Sequence, residues 1–163
     1  MAFRRICARI ALALIFLLSL LGSAALPVAA SGGTATQAQK VVRIAEAQVG
    51  SRWAFKATGP SQFDCSGLVT YVFRQAGLLD RVGGKRRTVR GFHRWFKSHG
   101  RANLRKPRVG DLIVWGRNRH IGIYVGNGKA VSALYNPYGV TEHKLSFITN
   151  MRITAYLHVK LTR

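Results

Sequence analysis

The sequence predicts an α+β domain, with helices in its first half and an antiparallel sheet in its second. Apolar residues recur at helical spacing in three stretches before residue 100. From Asp111 onward the pattern changes to short runs rich in Val, Ile and Tyr, with Gly126-Asn127-Gly128 as a hairpin signal. There is no internal repeat and no second domain, and helices followed by strands is the α+β order.

Residues 1–30 read as a secretion signal rather than as fold. Arg4, Arg5 and Arg9 form a positive n-region, Ile10 to Leu26 an apolar run, and Val28-Ala29-Ala30 a small-residue cleavage site. Left uncut, the apolar run is nearly long enough to anchor the chain in a membrane, the only membrane contact expected. Residues 31–36 are small and polar and read as a flexible leader. Residues 37–163 form the domain.

Gln37 to Gln48 places Val41, Ile44, Ala45 and Gln48 on one helical face and stops at Gly50. Ser51 to Phe63 contains Gly59-Pro60 and reads as a loop. Cys65 to Gln75 is a helix with Asp64 as N-cap, Gly77 as C′ residue and a buried stripe of Leu68, Val69, Val72 and Phe73. Phe92, Trp95, Phe96 and His99 define a short third helix, while Arg90, Arg94, Lys97 and Arg101 fall on its other sides. Leu112 to Trp115 is a buried strand and Arg117-Asn118-Arg119 a turn. His120 to Gly126 alternates, Lys129 to Leu134 returns, and Val140 to Leu145 and Ile153 to Val159 complete a meander. In the last strand Ile153, Ala155, Leu157 and Val159 share a face.

Charge narrows the partners. Beyond the signal, 23 basic residues stand against 5 acids, a net charge of +18. Residues 81–108 hold eleven Lys or Arg and no acid. A surface of that sign attracts polyanions. An export signal makes wall polymers the expected partner through Arg81 to Arg108, and excludes nucleic acid.

Cys65 is the only cysteine beyond the signal, in an exported chain where thiols usually pair. It stands at the first turn of a helix, where free backbone N–H groups and the positive end of the dipole favour a thiolate. His120 opens a separate strand and can take the thiol proton. A cysteine with a base brought to it by the fold is the minimal machinery of a nucleophile. His93, His99, His143 and His158 are scattered, none at metal-ligand spacing with a matching cysteine or acid, so neither metal nor cofactor is expected.

These residues resemble the NlpC/p60 family of papain-like cysteine peptidases of the bacterial cell wall, over Val41 to His158. The likeness rests on Phe-Asp-Cys-Ser-Gly-Leu-Val at 63–69, Val-Gly-Asp-Leu-Ile-Val-Trp at 109–115 and His-Ile-Gly-Ile-Tyr-Val-Gly at 120–126. It implies a papain-like fold that cuts an amide bond in peptidoglycan stem peptides, typically between D-glutamate and the diamino acid, and with the export signal the expectation is a secreted monomer. Cys65 takes the role of nucleophile and His120 that of base and acid. The rival reading is a wall-binding pseudoenzyme of the same fold.

Two positions depart from the family's pattern. The residue twelve places after the base, often histidine, is Ser132, which would orient the imidazole. A two-residue turn at Asn127-Gly128 would point Ser132 away from His120. A three-residue loop at 126–128 would set position 120 against 134 and bring Ser132 within reach, with Asn136 as substitute. Upstream, Trp53 replaces a tyrosine, and its indole N–H can only donate. Trp53, Asp64 and Ser66 are the candidate substrate-binding residues, although Asp64 reads first as a cap.

Overall fold

The computed structural model describes residues 35–163. The stretch read as a secretion signal and the first residues of the leader lie outside the described residues. Thr36, read as leader, is instead the cap of helix α1 (Gln37–Glu46). Its hydroxyl accepts from the Gln39 N–H while the Gln39 side chain accepts from the Thr36 N–H. This reciprocal box satisfies two otherwise free donors. Val41 and Ala45 are the buried face.

The segment read as a loop carries a short parallel pair, β1 (Arg52–Trp53) and β2 (Gln62–Phe63). Strands of two residues have no periodicity to detect. Helix α2 (Cys65–Gln75) follows at once, capped by Asp64, with Leu68, Val69, Val72 and Phe73 all fully buried. After a 3-10 turn at Leu79–Val82, Thr88 caps α3 (Val89–Ser98), which buries Phe92 and Phe96. The Arg101 guanidinium lies 4.6 Å from the Trp95 ring centroid and 4.9 Å from that of Phe96.

The sheet contains β3 (Ala102–Asn103), β4 (Leu112–Trp115), β5 (His120–Gly126), β6 (Lys129–Leu134), β7 (Gly139–Lys144) and β8 (Ile153–Leu157) in the order β3-β8-β4-β5-β6-β7. The simple meander is therefore corrected. Strands β4 to β7 do run as one, but β8 returns to the opposite edge and inserts between β4 and β3. A register shift between Val114 and Trp115 separates Ile153 from the face of Ala155 and Leu157.

Helices α1, α2 and α3 cover one face of the sheet and share its main core. On the other face, Ile113, Trp115, Tyr124 and Ala130 pack beneath Leu145, Ile148 and Met151. This double cover is why Leu112 to Trp115 is apolar at every position. Asp111, fully buried, ties the start of β4 to the end of β8. It accepts from the Arg108 and Val159 N–H groups, from Arg163, and from His158 at 2.8 Å.

Candidate active site

Cys65 and His120 both line one cleft of about 1190 Å³, the first at the start of α2 and the second at the start of β5. Asp64 ends the extended segment before α2. Its Oδ1 accepts from the Gly67 N–H at 2.6 Å and from the Ser66 hydroxyl at 2.8 Å. Its Oδ2 accepts from Arg86 at 2.6 Å. Gly67 has a packing reason as well. A Cβ there would sit 1.9 Å from the Ala57 carbonyl oxygen, so only glycine lets the loop close over the first turn.

The expected thiolate preference of Cys65 is corrected. The backbone N–H of Ile121 on β5, and those of Ser66 and Cys65 at the helix start, do pull the thiol down. Burial, and then the charge of Asp64, outweigh them and push it up to about 11. Burial, with a smaller repulsion from His143, pushes His120 down to about 4. Both shifts run in the direction that favours a neutral thiol and a neutral imidazole.

Ser132 is completely buried beside His120, its hydroxyl 2.9 Å from His120 Nε2. The hairpin reaches this arrangement by combining the two expected geometries. Gly126 pairs with Lys129 around an Asn127-Gly128 tip, but the register shifts before Tyr124, which pairs with Ala130. Continued down the strands, the shifted register sets 120 against 134 and leaves Ser132 diagonal to His120. Gly122 faces Ser132 directly, and a Cβ there would lie 2.9 Å from the Ser132 Cβ. Asn136 lines the cleft, but Ser132 holds the imidazole contact.

One residue of the cluster escaped the sequence reading. His143, on β7, places Nε2 2.8 Å from the Ser132 hydroxyl and Nδ1 2.9 Å from the Lys144 carbonyl oxygen. Only strand pairing could reveal it, since β6 sets Ser132 opposite Thr141, two residues away.

The remaining candidates meet at the same cleft. Trp53 lines it, with its ring 4.4 Å from that of Tyr135. Ser66 donates to Asp64. Phe55, Tyr135, Tyr138 and Phe147 leave aromatic surface exposed around the rim. Lys56, Arg86, Arg90 and Arg119 line the cleft against one acid, Asp64, which Arg86 already occupies. The basic segment thus does not stand apart from the site, as its charge alone suggested, because Arg86 and Arg90 belong to both.

Helices packed on an antiparallel sheet, with a helix-borne thiol and a sheet-borne imidazole lining one cleft, place the chain among the papain-like α+β proteins. A solved structure of NlpC2 from Trichomonas vaginalis shares the fold with a TM-score of 0.63 at 21% identity, covering 82% of this chain and 49% of that one. The sequence profile of the NlpC/P60 family matches residues 50–156, and the chain belongs to that family. It is 28% identical over 123 residues to a protein of Corynebacterium glutamicum named a probable endopeptidase, covering 75% of this chain and 55% of the relative. Over 133 residues it is 29% identical to the peptidoglycan endopeptidase RipA of Mycolicibacterium smegmatis, covering 72% of this chain and 24% of RipA. The chain thus spans about half or less of these relatives' length.

Proposed function

We propose that the protein is an exported cysteine endopeptidase that hydrolyses an amide bond of peptidoglycan stem peptides, between D-glutamate and the diamino acid. The observation that carries this reading is the convergence of Cys65 and His120 on one cleft in a chain of the NlpC/P60 family. Both relatives are named endopeptidases, and the name of RipA gives peptidoglycan as its target. The excess of cations along the cleft suits a peptide rich in carboxylates.

The chemistry starts from a neutral thiol and a neutral imidazole, the forms that burial favours. As the Cys65 sulfur attacks the scissile carbonyl carbon, its proton passes to His120. The oxyanion gathers against the Cys65 backbone N–H at the start of α2. His120 then gives that proton to the leaving amine as the C–N bond breaks, leaving a thioester. A water molecule, deprotonated by His120, attacks the thioester, and the thiol leaves with the proton restored. Ser132 orients the imidazole throughout.

The test is digestion of purified peptidoglycan by the protein and by its Cys65→Ala variant, with released peptides identified by mass. New D-glutamyl termini from the wild type alone support the proposal. Tight wall binding without release by either protein identifies the pseudoenzyme, a reading favoured by Trp53 at the position where a tyrosine hydroxyl is expected.

A further inference from the structure

A buried serine between two histidines has no polarity of its own, because a hydroxyl both donates and accepts. The surroundings of His143 remove the ambiguity. Its Nδ1 faces the Lys144 carbonyl oxygen at 2.9 Å, and a carbonyl only accepts, so neutral His143 carries its proton on Nδ1. Its Nε2 then holds a lone pair, and the contact at 2.8 Å has Ser132 as donor. The single hydroxyl proton is committed there. Ser132 can therefore only accept from His120 at 2.9 Å, which fixes the proton on His120 Nε2. The lone pair is left on Nδ1, the other nitrogen of the ring.

We propose that His143 is the positioning residue of this site. Through Ser132 it selects the His120 tautomer that leaves Nδ1 basic, and its protonation reverses the chain of hydrogen bonds and disables the base. With a proton on both nitrogens, His143 donates to Ser132. The hydroxyl proton turns towards His120 Nε2, which must then accept, and the His120 proton moves to Nδ1. No lone pair remains for the thiol. This rests on the reading of Cys65 and His120 as nucleophile and base.

The neighbours of His143 make it the first of the two rings to take a proton. On its own strand stand the Lys144 carbonyl and the Glu142 carboxylate, both of which favour its charge. From β6, Lys129 engages that carboxylate at 2.7 Å. From β5 comes His120, and the remaining walls are the rings of Trp115 and Phe147, centred 6.0 and 5.6 Å away. Burial still holds His143 below its ordinary value, so the productive polarity prevails at neutral pH.

Nitrogen-15 NMR of the histidine-labelled protein reads the tautomer directly, and kcat/KM against pH reads its consequence. In the wild type, His120 carries its proton on Nε2 at neutral pH and on Nδ1 once His143 is charged. His143→Gln, which can accept from Ser132 but does not titrate, keeps the Nε2 proton and moves the acid limb of kcat/KM down by about one pH unit or more. His143→Phe removes the tautomer preference and lowers kcat by about tenfold or more with little change in KM. Because His143 acts only through Ser132, adding His143→Phe to Ser132→Ala costs less than about twofold further.

An Nδ1 proton in the neutral wild type, an unmoved acid limb in His143→Gln, or multiplying losses in the double variant would overturn the proposal. Should His143→Phe not fold, the glutamine variant and the wild-type spectrum still decide. If peptidoglycan is not cut at all, the peptidase reading fails, while the NMR tautomer still judges the relay alone.

Discussion

Asp64 shows how much one side chain can be asked to do. It caps α2, holds Ser66, binds Arg86 and raises the thiol beside it. Replacing its charge while keeping its shape separates these roles. Asp64→Asn is expected to lower the pH midpoint of Cys65 alkylation, because the second largest cause of the raised thiol disappears. Stability should fall by only about 1 kcal/mol, since asparagine also caps helices and the partly exposed Arg86 pair contributes little. An alkylation midpoint that stays or rises would show that burial alone governs the thiol. Gly122 is the second informative residue. Gly122→Ala would press a methyl group on the Ser132 Cβ at 2.9 Å. It should cost about 1–3 kcal/mol as overpacking and lower kcat by displacing Ser132, measured by denaturant unfolding alongside peptide turnover.

Among the elements, β5 and β6 build the site and β4 and β8 hold it level. The shift near the tip of the β5–β6 hairpin turns Ser132 towards His120, and β7 adds His143 from the next strand. At the opposite edge, Asp111 fastens β8 to β4 from a fully buried position. Asp111→Ala would leave the Val159 N–H without its acceptor, and Arg163 and His158 without their carboxylate partner. The expected loss is about 3–5 kcal/mol, the cost of breaking a buried charged network, read from the denaturant midpoint. A loss under about 1 kcal/mol would mean that β8 is held by its strand pairing alone.

For the whole molecule, acid and charge set the limits. His120 and His143 are both held below the ordinary histidine value, so the unfolded chain binds more protons than the folded one as pH falls below about 6.5. Stability should therefore be full above about pH 6.5 and decline as pH falls towards 4, where His120 itself titrates. Thermal midpoints across this range test it, and a profile made flat by His120→Phe would assign the slope to that ring. The basic segment divides by position. Arg94 and Lys97 are exposed and absent from the cleft lining, whereas Arg90 lines it. Arg94→Gln with Lys97→Gln should weaken binding to anionic wall material at low salt and little at high salt, without affecting cleavage of a small peptide. Arg90→Gln should raise KM for an acidic peptide but not for its amidated form. Equal effects from both sets would erase the distinction between docking and substrate binding.

The sequence by itself determined the α+β class, helix α2 with its cap and the β5–β6 hairpin, and it singled out Cys65 and His120, which the fold brings to one cleft. The elements are written in local signals, an N-cap before an apolar stripe and a Gly-Asn-Gly turn, and the two residues in the motifs that carry the family likeness. The tertiary structure alone decided the rest. Strand β8 crosses to the side of β4 away from β5 and sits between β4 and β3, because the core and not chain order selects its partner. The thiol is raised rather than lowered because its burial depends on what the fold packs around it. His143 joins His120 through Ser132 because strand register brings side chains from three strands onto one face, and register depends on a one-residue shift that no local pattern records.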